Sequence, residues 1–411
     1  MRSISLEDAG AEAKDRPGES LAQVTSLRLG ARSLPADASP LSMDCNTGSQ
    51  YRVSLSDSLL SPGSTGLQEA IGDRKALLIT TPTVNRLYGA AMRGVLAKTN
   101  TVATLILDVS EASKSMELVQ VICQAALEHG LNRRGLLLGF GGGVCLDLVT
   151  MAASLIRRGI GHLRVPTTLI GQIDAGIGLK GAVNFCGKKS FIGCFHPPEQ
   201  VLIDPAFLQS LPQRHLSAGT AEALKMGIVR DPALFELLER FAPTLVASRF
   251  AAPAGPAREL LRRAIFAMLD ELRKNPYEDQ GYERLVDFGH TFSPVLESAL
   301  GFDIQHGEAV AVDMALSAAI ADSLGLLAPG DCGAILRALK CASLPVYSPR
   351  LDLPLCREGL IEASRHRGGA MNLVVPTAIG SSVFLKHRED LPDSLLEGAL
   401  SRLAAAEREA A

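Results

Sequence analysis

Residues 135–144 read GLLLGFGGGV, an apolar run too short for a helix that breaks into three glycines before helical spacing resumes at Val144. A strand ending in glycines and followed by a helix is the start of a βα unit. Glycine there lets the backbone approach a pyrophosphate, which the helix N-terminus holds through free N–H groups and its dipole. Gly141, Gly142 and Gly143 do not have the G-x-G-x-x-G spacing, so a tight turn needing positive φ is an equal reading of the motif by itself. The flanking pattern extends the unit. YRVSLSDSLL from Tyr51, ALLIT (76–80) and VATLILD (102–108) predict strands; NRLYGAAMRGVLAKT and SMELVQVICQAALEHG, closed by Gly130, predict helices. Strands alternating with helices predict an α/β domain with a doubly wound, Rossmann-like parallel sheet.

Past Asp204-Pro205 the texture changes. AFLQSL, AGTAEALKMGIV, PALFELLERFA, ARELLRRAIFAMLDELRK, EAVAVDMALSAAIADSLG and EGLIEASRHR read as helical, with only NLVVP (372–376) and SVFLK (382–386) strand-like. The expected division is a flexible extension over 1–48, the α/β domain over 49–203 and a mainly α-helical C-terminal domain over 204–411. The extension is assigned from its Ala, Ser, Pro and charge, which carry no periodicity.

Composition narrows the function classes. A net charge of −3 argues against a nucleic-acid surface, and the absence of Trp with only 4% aromatic residues argues against base- or sugar-stacking platforms. No apolar run is long enough to span a bilayer, and the N-terminus lacks the apolar core of a signal peptide. The eight cysteines form no C-x-x-C pair and several sit in apolar runs, which fits a reducing, cytoplasmic compartment.

Two regions carry candidate chemistry. In RGIGHLRVPTTLIGQIDAGIGLKGAVNFCGKKSFIG (158–193) a buried strand, HLRVPTTLI, precedes Asp174 among small residues, then Lys180, Lys188 and Lys189. Lysines beside a carboxylate in an otherwise uncharged stretch point to a phosphorylated or polyhydroxylated anion; the plain alternative is a surface loop of solvated lysines. In the helical part, Glu222 and Lys225 share a helix face, and His290 and His306 each sit beside a glycine and near an acid (Asp287, Glu308). Two histidines and a carboxylate with an open position make a catalytic zinc set, as in thermolysin, and the nearby acids are candidates to orient the imidazoles. The sixteen-residue gap matches no local zinc motif, so packed histidines are the alternative. Histidines 129, 162, 196, 215, 366 and 387 read as packed or solvated, although His366 lies in an Arg365-His366-Arg367 cluster suited to phosphate.

GGGVCLDL (141–148), RVPTTLIGQIDAGIGLKGAVN (164–184), AEALKMG (221–227), DFGHTFSP (287–294) and HGEAVA (306–311) together resemble the dehydroquinate synthase superfamily, the sugar phosphate cyclases, from about residue 50 to the C-terminus. The resemblance implies NAD in the N-terminal domain, transient oxidation of a ring hydroxyl held on zinc, elimination of phosphate, return of the hydride, ring opening and an intramolecular aldol closure. It implies zinc (or cobalt) ligation by Glu222, His290 and His306. Asp174, Lys180, Lys189, Lys225, Arg158 and Asp287 become the active-site acids and cations; Gly141, Gly142, Gly143, Asp147, Glu111, Lys114, Thr167 and Thr168 become the cofactor side. A homodimer and a small-molecule sugar phosphate, with no nucleic acid or membrane partner, follow from the same resemblance.

The departures choose a branch. Ser293-Pro294 replaces the Gly-His of dehydroquinate synthases, Asp287 an Asn, and Glu283 an arginine that pairs with the substrate carboxylate. A carboxylate would be left poorly compensated there. The resemblance therefore implies sedoheptulose 7-phosphate as substrate and 2-epi-5-epi-valiolone as product. Sister cyclases making 2-epi-valiolone or desmethyl-4-deoxygadusol stand next, then 3-dehydroquinate synthase, a metal-dependent alcohol dehydrogenase of the glycerol dehydrogenase type, and a non-catalytic ligand sensor. Gly181-Ala182 and Ser190 depart from the branch in the substrate pocket, and Thr81-Pro82 stands where an acid often grips the adenine ribose.

Overall fold

Short β-branched and leucine-rich runs bounded by glycine or proline become the strands. The computed structural model describes residues 41–44 and 50–408, apart from 98, 100, 101 and 302. In chain order the first strands are β1 (Leu41–Asp44), β2 (Gln50–Leu55), β3 (Ala76–Thr80), β4 (Val102–Ile106), β5 (Leu136–Gly141) and β6 (Gly161–Pro166). A hairpin, β7 (Lys180–Phe185) and β8 (Lys188–Phe195), and then β9 (Gln200–Ile203) follow. One sheet runs β1-β2-β9-β6-β5-β3-β4, with every pair parallel except β1 on β2.

Helices α1 (Gly66–Ile71) and α2 (Pro82–Leu96) cover one face; α3 (Met116–Glu128) and α4 (Gly143–Leu155) cover the other, each face with its own apolar cluster. β3 and β5 are buried at every position, as expected of strands packed on both faces. The sheet order turns between β3 and β5, whose C-terminal ends carry Thr81 and Gly141. That is where ligands seat in open α/β sheets.

The HLRVPTTLI stretch is not one strand. Pro166 ends β6, and Thr168 caps the short helix α5 (Leu169–Ile173), its hydroxyl accepting from the Gly171 N–H at 3.1 Å. Such a cap contributes about 1 kcal/mol. The expected extension over 1–48 falls mostly outside the described residues; Leu41–Asp44 within it pairs with β2 rather than standing free. AFLQSL forms a 3-10 turn.

From there helices dominate: α6 (Gln213–Val229), α7 (Pro232–Ala247), α8 (Ala254–Leu272), α9 (Ser293–Ala299), α10 (His306–Ser323), α11 (Asp331–Cys341), α12 (Leu353–His366) and α13 (Asp393–Arg408). A small hairpin, β10 (Leu373–Ala378) and β11 (Ser381–Leu385), closes this part. α6 and α10 are its centre. Every residue of α6 from Leu216 to Val229 is buried, and so is α10 from Ala309 to Ala321. Helices apolar all round belong inside. Two charges, Glu222 and Lys225, are therefore carried into the core on α6. Their helix meets α10 at Gly307, where an added Cβ would lie 1.8 Å from the Ala218 carbonyl oxygen. No described helix is long and apolar enough to cross a membrane.

Candidate active site

The sheet contributes a cradle. Gly142 caps α4 without a side chain, so the first N–H groups of that helix stay open. A Cβ on Gly142 would come within 3.0 Å of the Thr168 methyl, and one on Gly141 within 2.9 Å of Cys145 Cβ. Thr167 N–H donates to Gly141 O at 2.9 Å, which ties the PTT segment to the glycine turn. On the other side of α4, Lys114 is buried and reaches Asp147 at 2.7 Å, Glu111 at 3.7 Å and the Ser190 hydroxyl at 3.3 Å. Burial raises the Asp147 pKa, and Lys114 works against that rise. Gly141 and Gly142 thus meet Thr167 and Thr168, while Lys114 gathers Glu111 and Asp147, the latter one turn into the helix that Gly143 begins.

The helical part contributes a candidate cation site. Glu222 of α6, His290 in the turn before α9 and His306 at the start of α10 bring one ligand atom each within 4.8 Å of one another. His306 Nε2 lies 3.2 Å and His290 Nε2 3.8 Å from Glu222 Oε1. The Nδ1 atoms are engaged: His290 Nδ1–H donates to Phe288 O at 3.0 Å, and His306 Nδ1 meets Glu297 Oε1 at 2.9 Å. A proton on Nδ1 leaves the Nε2 lone pair facing the carboxylate, the arrangement of a metal-ligating imidazole. Burial pushes His290 down to about 4, with Lys225 adding to it. His306 is pushed up to about 9: burial and Lys189 oppose its charge, and hydrogen bonds to Glu222 and Glu297 outweigh them. Burial would raise Glu222, yet Lys225 and both imidazoles hold it well below the usual carboxylate range. The donor set, two imidazole Nε2 atoms facing one buried carboxylate, is of the kind that could hold a metal ion.

Lys225 links this cluster to the sheet. Its ammonium lies 2.6 Å from Glu222 Oε2 and 3.1 Å from Asp174 Oδ2. Burial disfavours the Lys225 charge, but the two carboxylates overcome it and raise its pKa. Burial likewise raises Asp174, to about 6, against the pull of Lys225. The hairpin brings two more lysines to the helical part. Lys189 meets Glu297 Oε2 at 2.7 Å, and Lys180 pairs with Glu278. Lys188 is 63% exposed, on a weak 3.5 Å contact with Glu362, so for this lysine the solvated alternative is the right one.

The acids expected to orient the imidazoles do other work. Asp287 is held by Arg284 at 2.6 Å and Arg367 at 3.4 Å; Glu308 caps α10 and pairs with Arg214. Glu297 of α9 and the Phe288 carbonyl fill the orienting role. Glu278, Arg284 and Glu297 carry no local sequence signal of a site role. Of the Arg365-His366-Arg367 cluster only Arg367 turns inward, donating to Met371 O, Asn372 O, His290 O and the Thr291 hydroxyl. Glu283 faces outward on Lys386 at 2.6 Å. Arg158 is exposed in the turn after α4, separated from the glycine turn by the length of that helix, about 20 Å at its standard rise. Within one chain it does not join the cluster.

Comparison with known proteins follows this geometry. Residues 104–218 match the model described as 3-dehydroquinate synthase N-terminal, and residues 219–363 match 3-dehydroquinate synthase C-terminal. The chain belongs to the 3-dehydroquinate synthase family. Within this family it is 38% identical over 391 residues to a 2-epi-5-epi-valiolone synthase of Streptomyces glaucescens, covering 94% of this chain and 98% of that one. A 3-dehydroquinate synthase of Synechococcus is 34% identical over 359 residues, covering 86% and 96%. Among solved structures, 2-epi-5-epi-valiolone synthase from Streptomyces hygroscopicus subsp. jinggangensis, with NAD+ and Zn2+ bound, superposes with a TM-score of 0.82. It is 40% identical, over 87% of this chain and 97% of that one. Family membership accounts for the doubly wound sheet joined to a helical part.

Proposed function

We propose that this family member is a sugar phosphate cyclase, a carbon–oxygen lyase that converts sedoheptulose 7-phosphate into 2-epi-5-epi-valiolone with loss of phosphate. The observation that carries the proposal is the convergence of Glu222, His290 and His306 within 4.8 Å, with the Lys225 ammonium at 2.6 Å from the same carboxylate. One carboxylate and two imidazoles are a donor set that suits zinc and accepts cobalt. The Gly141–Gly143 turn and the open N-terminus of α4 suit the pyrophosphate of NAD. Bound in these two places, NAD would supply a reversible hydride acceptor and zinc a Lewis acid for the hydroxyl being oxidised.

The chain's own residues do the rest. Lys225, kept charged by Asp174 and Glu222, donates hydrogen bonds to a substrate oxygen beside the metal site. Asp174 accepts from Lys225 and orients it. Lys180 and Lys189 offer ammonium groups to the phosphate dianion, which competes with Glu278 and Glu297 for them. Arg284 is tied to Glu278 and Asp287, and Glu283 puts a negative charge on the outer side, so no free guanidinium at positions 283–284 awaits a substrate carboxylate. That supports a heptulose phosphate over the carboxylated substrate of dehydroquinate synthesis. We place the enzyme as a homodimer in a reducing cytoplasm.

The test is incubation with sedoheptulose 7-phosphate, NAD and zinc, following phosphate and the carbon skeleton by NMR. Phosphate release with a cyclitol and no net NADH is the expected result, and the ring couplings separate 2-epi-5-epi-valiolone from its epimers. Net NADH from a simple polyol, without phosphate release, overturns the proposal in favour of a dehydrogenase.

A further inference from the structure

Asp174 and Lys180 bound a segment of turns and bends with no regular hydrogen-bond ladder. Asp174 O and Leu179 O accept from the Ile177 and His196 N–H groups, which leaves the Gly176, Ile177 and Gly178 carbonyls in need of other donors. Two side chains from the sheet provide them. Arg164 of β6, wholly buried, donates through Nη1 to Gly176 O at 3.2 Å and Gly178 O at 2.6 Å. Its Nη2 donates to Lys180 O at 3.1 Å and to the Thr150 hydroxyl at 2.7 Å. Thr150 in turn donates to Leu146 O at 2.8 Å, which anchors the fork to α4. Tyr51 of β2 donates its hydroxyl to Ile177 O at 2.7 Å. On the far side, a Cβ at Gly176 would lie 2.2 Å from Gly171 O, so the segment is already pressed against α5.

We propose that Arg164 is the positioning residue of the sugar-phosphate site: its planar fork fixes the backbone between Asp174, which meets Lys225, and Lys180, which meets Glu278. It touches neither metal ligand nor glycine turn; its charge also favours the ionised form of Asp147, and a lysine in its place keeps that charge, so Arg164→Lys isolates the fork's effect on how far apart the acid and the lysine are held. Lysine keeps the charge but has a single ammonium, which cannot span four oxygens in two directions. The inference rests on the function proposed above.

The experiment compares Arg164→Lys and Tyr51→Phe with the parent, each loaded with NAD and zinc. Amide hydrogen exchange, zinc content, NAD affinity and kinetics with sedoheptulose 7-phosphate are measured. For Arg164→Lys we expect exchange to rise in residues 174–180 alone, zinc and NAD to bind as in the parent, and KM to rise about tenfold with a further loss in kcat. A misplacement on the order of 1 Å costs about a hundredfold in catalysis. Tyr51→Phe moves the same readouts less. A rise in exchange spread over the whole fold, or a kcat loss matching the unfolded fraction with KM unchanged, overturns the proposal. If Arg164→Lys does not fold, Tyr51→Phe decides: exchange raised in 174–180 supports the clamp, and unchanged exchange sinks it. If the parent releases no phosphate from this sugar, the functional proposal falls by itself, and the exchange pattern still judges Arg164.

Discussion

Glu297 joins His306 to Lys189: one carboxylate oxygen lies 2.9 Å from His306 Nδ1 and the other 2.7 Å from the Lys189 ammonium. A single buried side chain thus orients a candidate metal ligand and fixes the position of a cation on the hairpin. Losing such a partner costs about 10–100-fold in metal affinity. Glu297→Ala should therefore give up zinc to a chelator at about 10–100-fold lower concentration, whereas Glu297→Gln, which keeps an acceptor for Nδ1–H, should lose less. Zinc retention equal to the parent in Glu297→Ala would remove Glu297 from this role.

Lys225→Met leaves Asp174 and Glu222 facing each other without the ammonium between them. Breaking a buried ion pair by removing one partner costs about 3–5 kcal/mol. Denaturant titration of the metal-free protein is the measurement. A change under about 1 kcal/mol would mean that the carboxylates find another partner.

The close crossing of α6 and α10 depends on Gly307. A Cβ there would lie 1.8 Å from the Ala218 carbonyl oxygen and 2.5 Å from its carbon, both backbone atoms. Overpacking of this kind costs about 1–3 kcal/mol. It would also move His306, the adjacent residue, away from Glu222. Gly307→Ala should lower both the unfolding midpoint and the zinc content; full zinc occupancy at a parental midpoint would show that the helices part without cost.

Loss of the metal itself is the simplest prediction. His306→Ala should hold no zinc and show no phosphate release, as measured by metal analysis and a phosphate assay on the same sample. Full metal content in that variant would mean that the ligand set is wrong.

Cys145 lies beneath the glycine turn, and burial pushes its thiol up to about 12. A thiol so raised stays protonated and inert across the physiological range. Iodoacetamide at about pH 8 should label the exposed Cys186 and Cys341 and spare Cys145 until the protein unfolds. Early labelling of Cys145, detected by peptide mapping, would show that the turn opens.

Local signals made much of this molecule legible. ALLIT and the glycine turn were plain because apolar runs of strand length end at residues that break them. Glu222 and Lys225 were plain because three residues separate neighbours on one helix face. His290 and His306 were candidate ligands from their types and their glycine and acid neighbours, but spacing left packed histidines as the alternative, since an irregular turn and α9 lie between them; the family resemblance favoured the ligand reading. The hairpin KGAVNFCGKKSFIGCF gave a weak strand signal: only β7 alternates clearly, with Gly181 and Val183 buried, while β8 has no buried position. Glu278, Glu297 and Arg284 gave no signal, because each acquires its role from a partner brought up by tertiary packing. The acids next to the histidines in sequence, Asp287 and Glu308, were nearer along the chain and serve arginines instead.

The hairpin reaches from the sheet to α9 through Lys189–Glu297, while Glu222, His290 and His306 all belong to the helical part and the glycine turn to the sheet. Apolar side chains of the sheet (Val53, Val201, Ile203) share one core with α6 and α10, so chelating the metal or withdrawing the dinucleotide should lower the same transition, each by the mass-action effect of its own ligand. Loading the two cofactors one after the other should appear in a thermogram as successive upward shifts of a single peak.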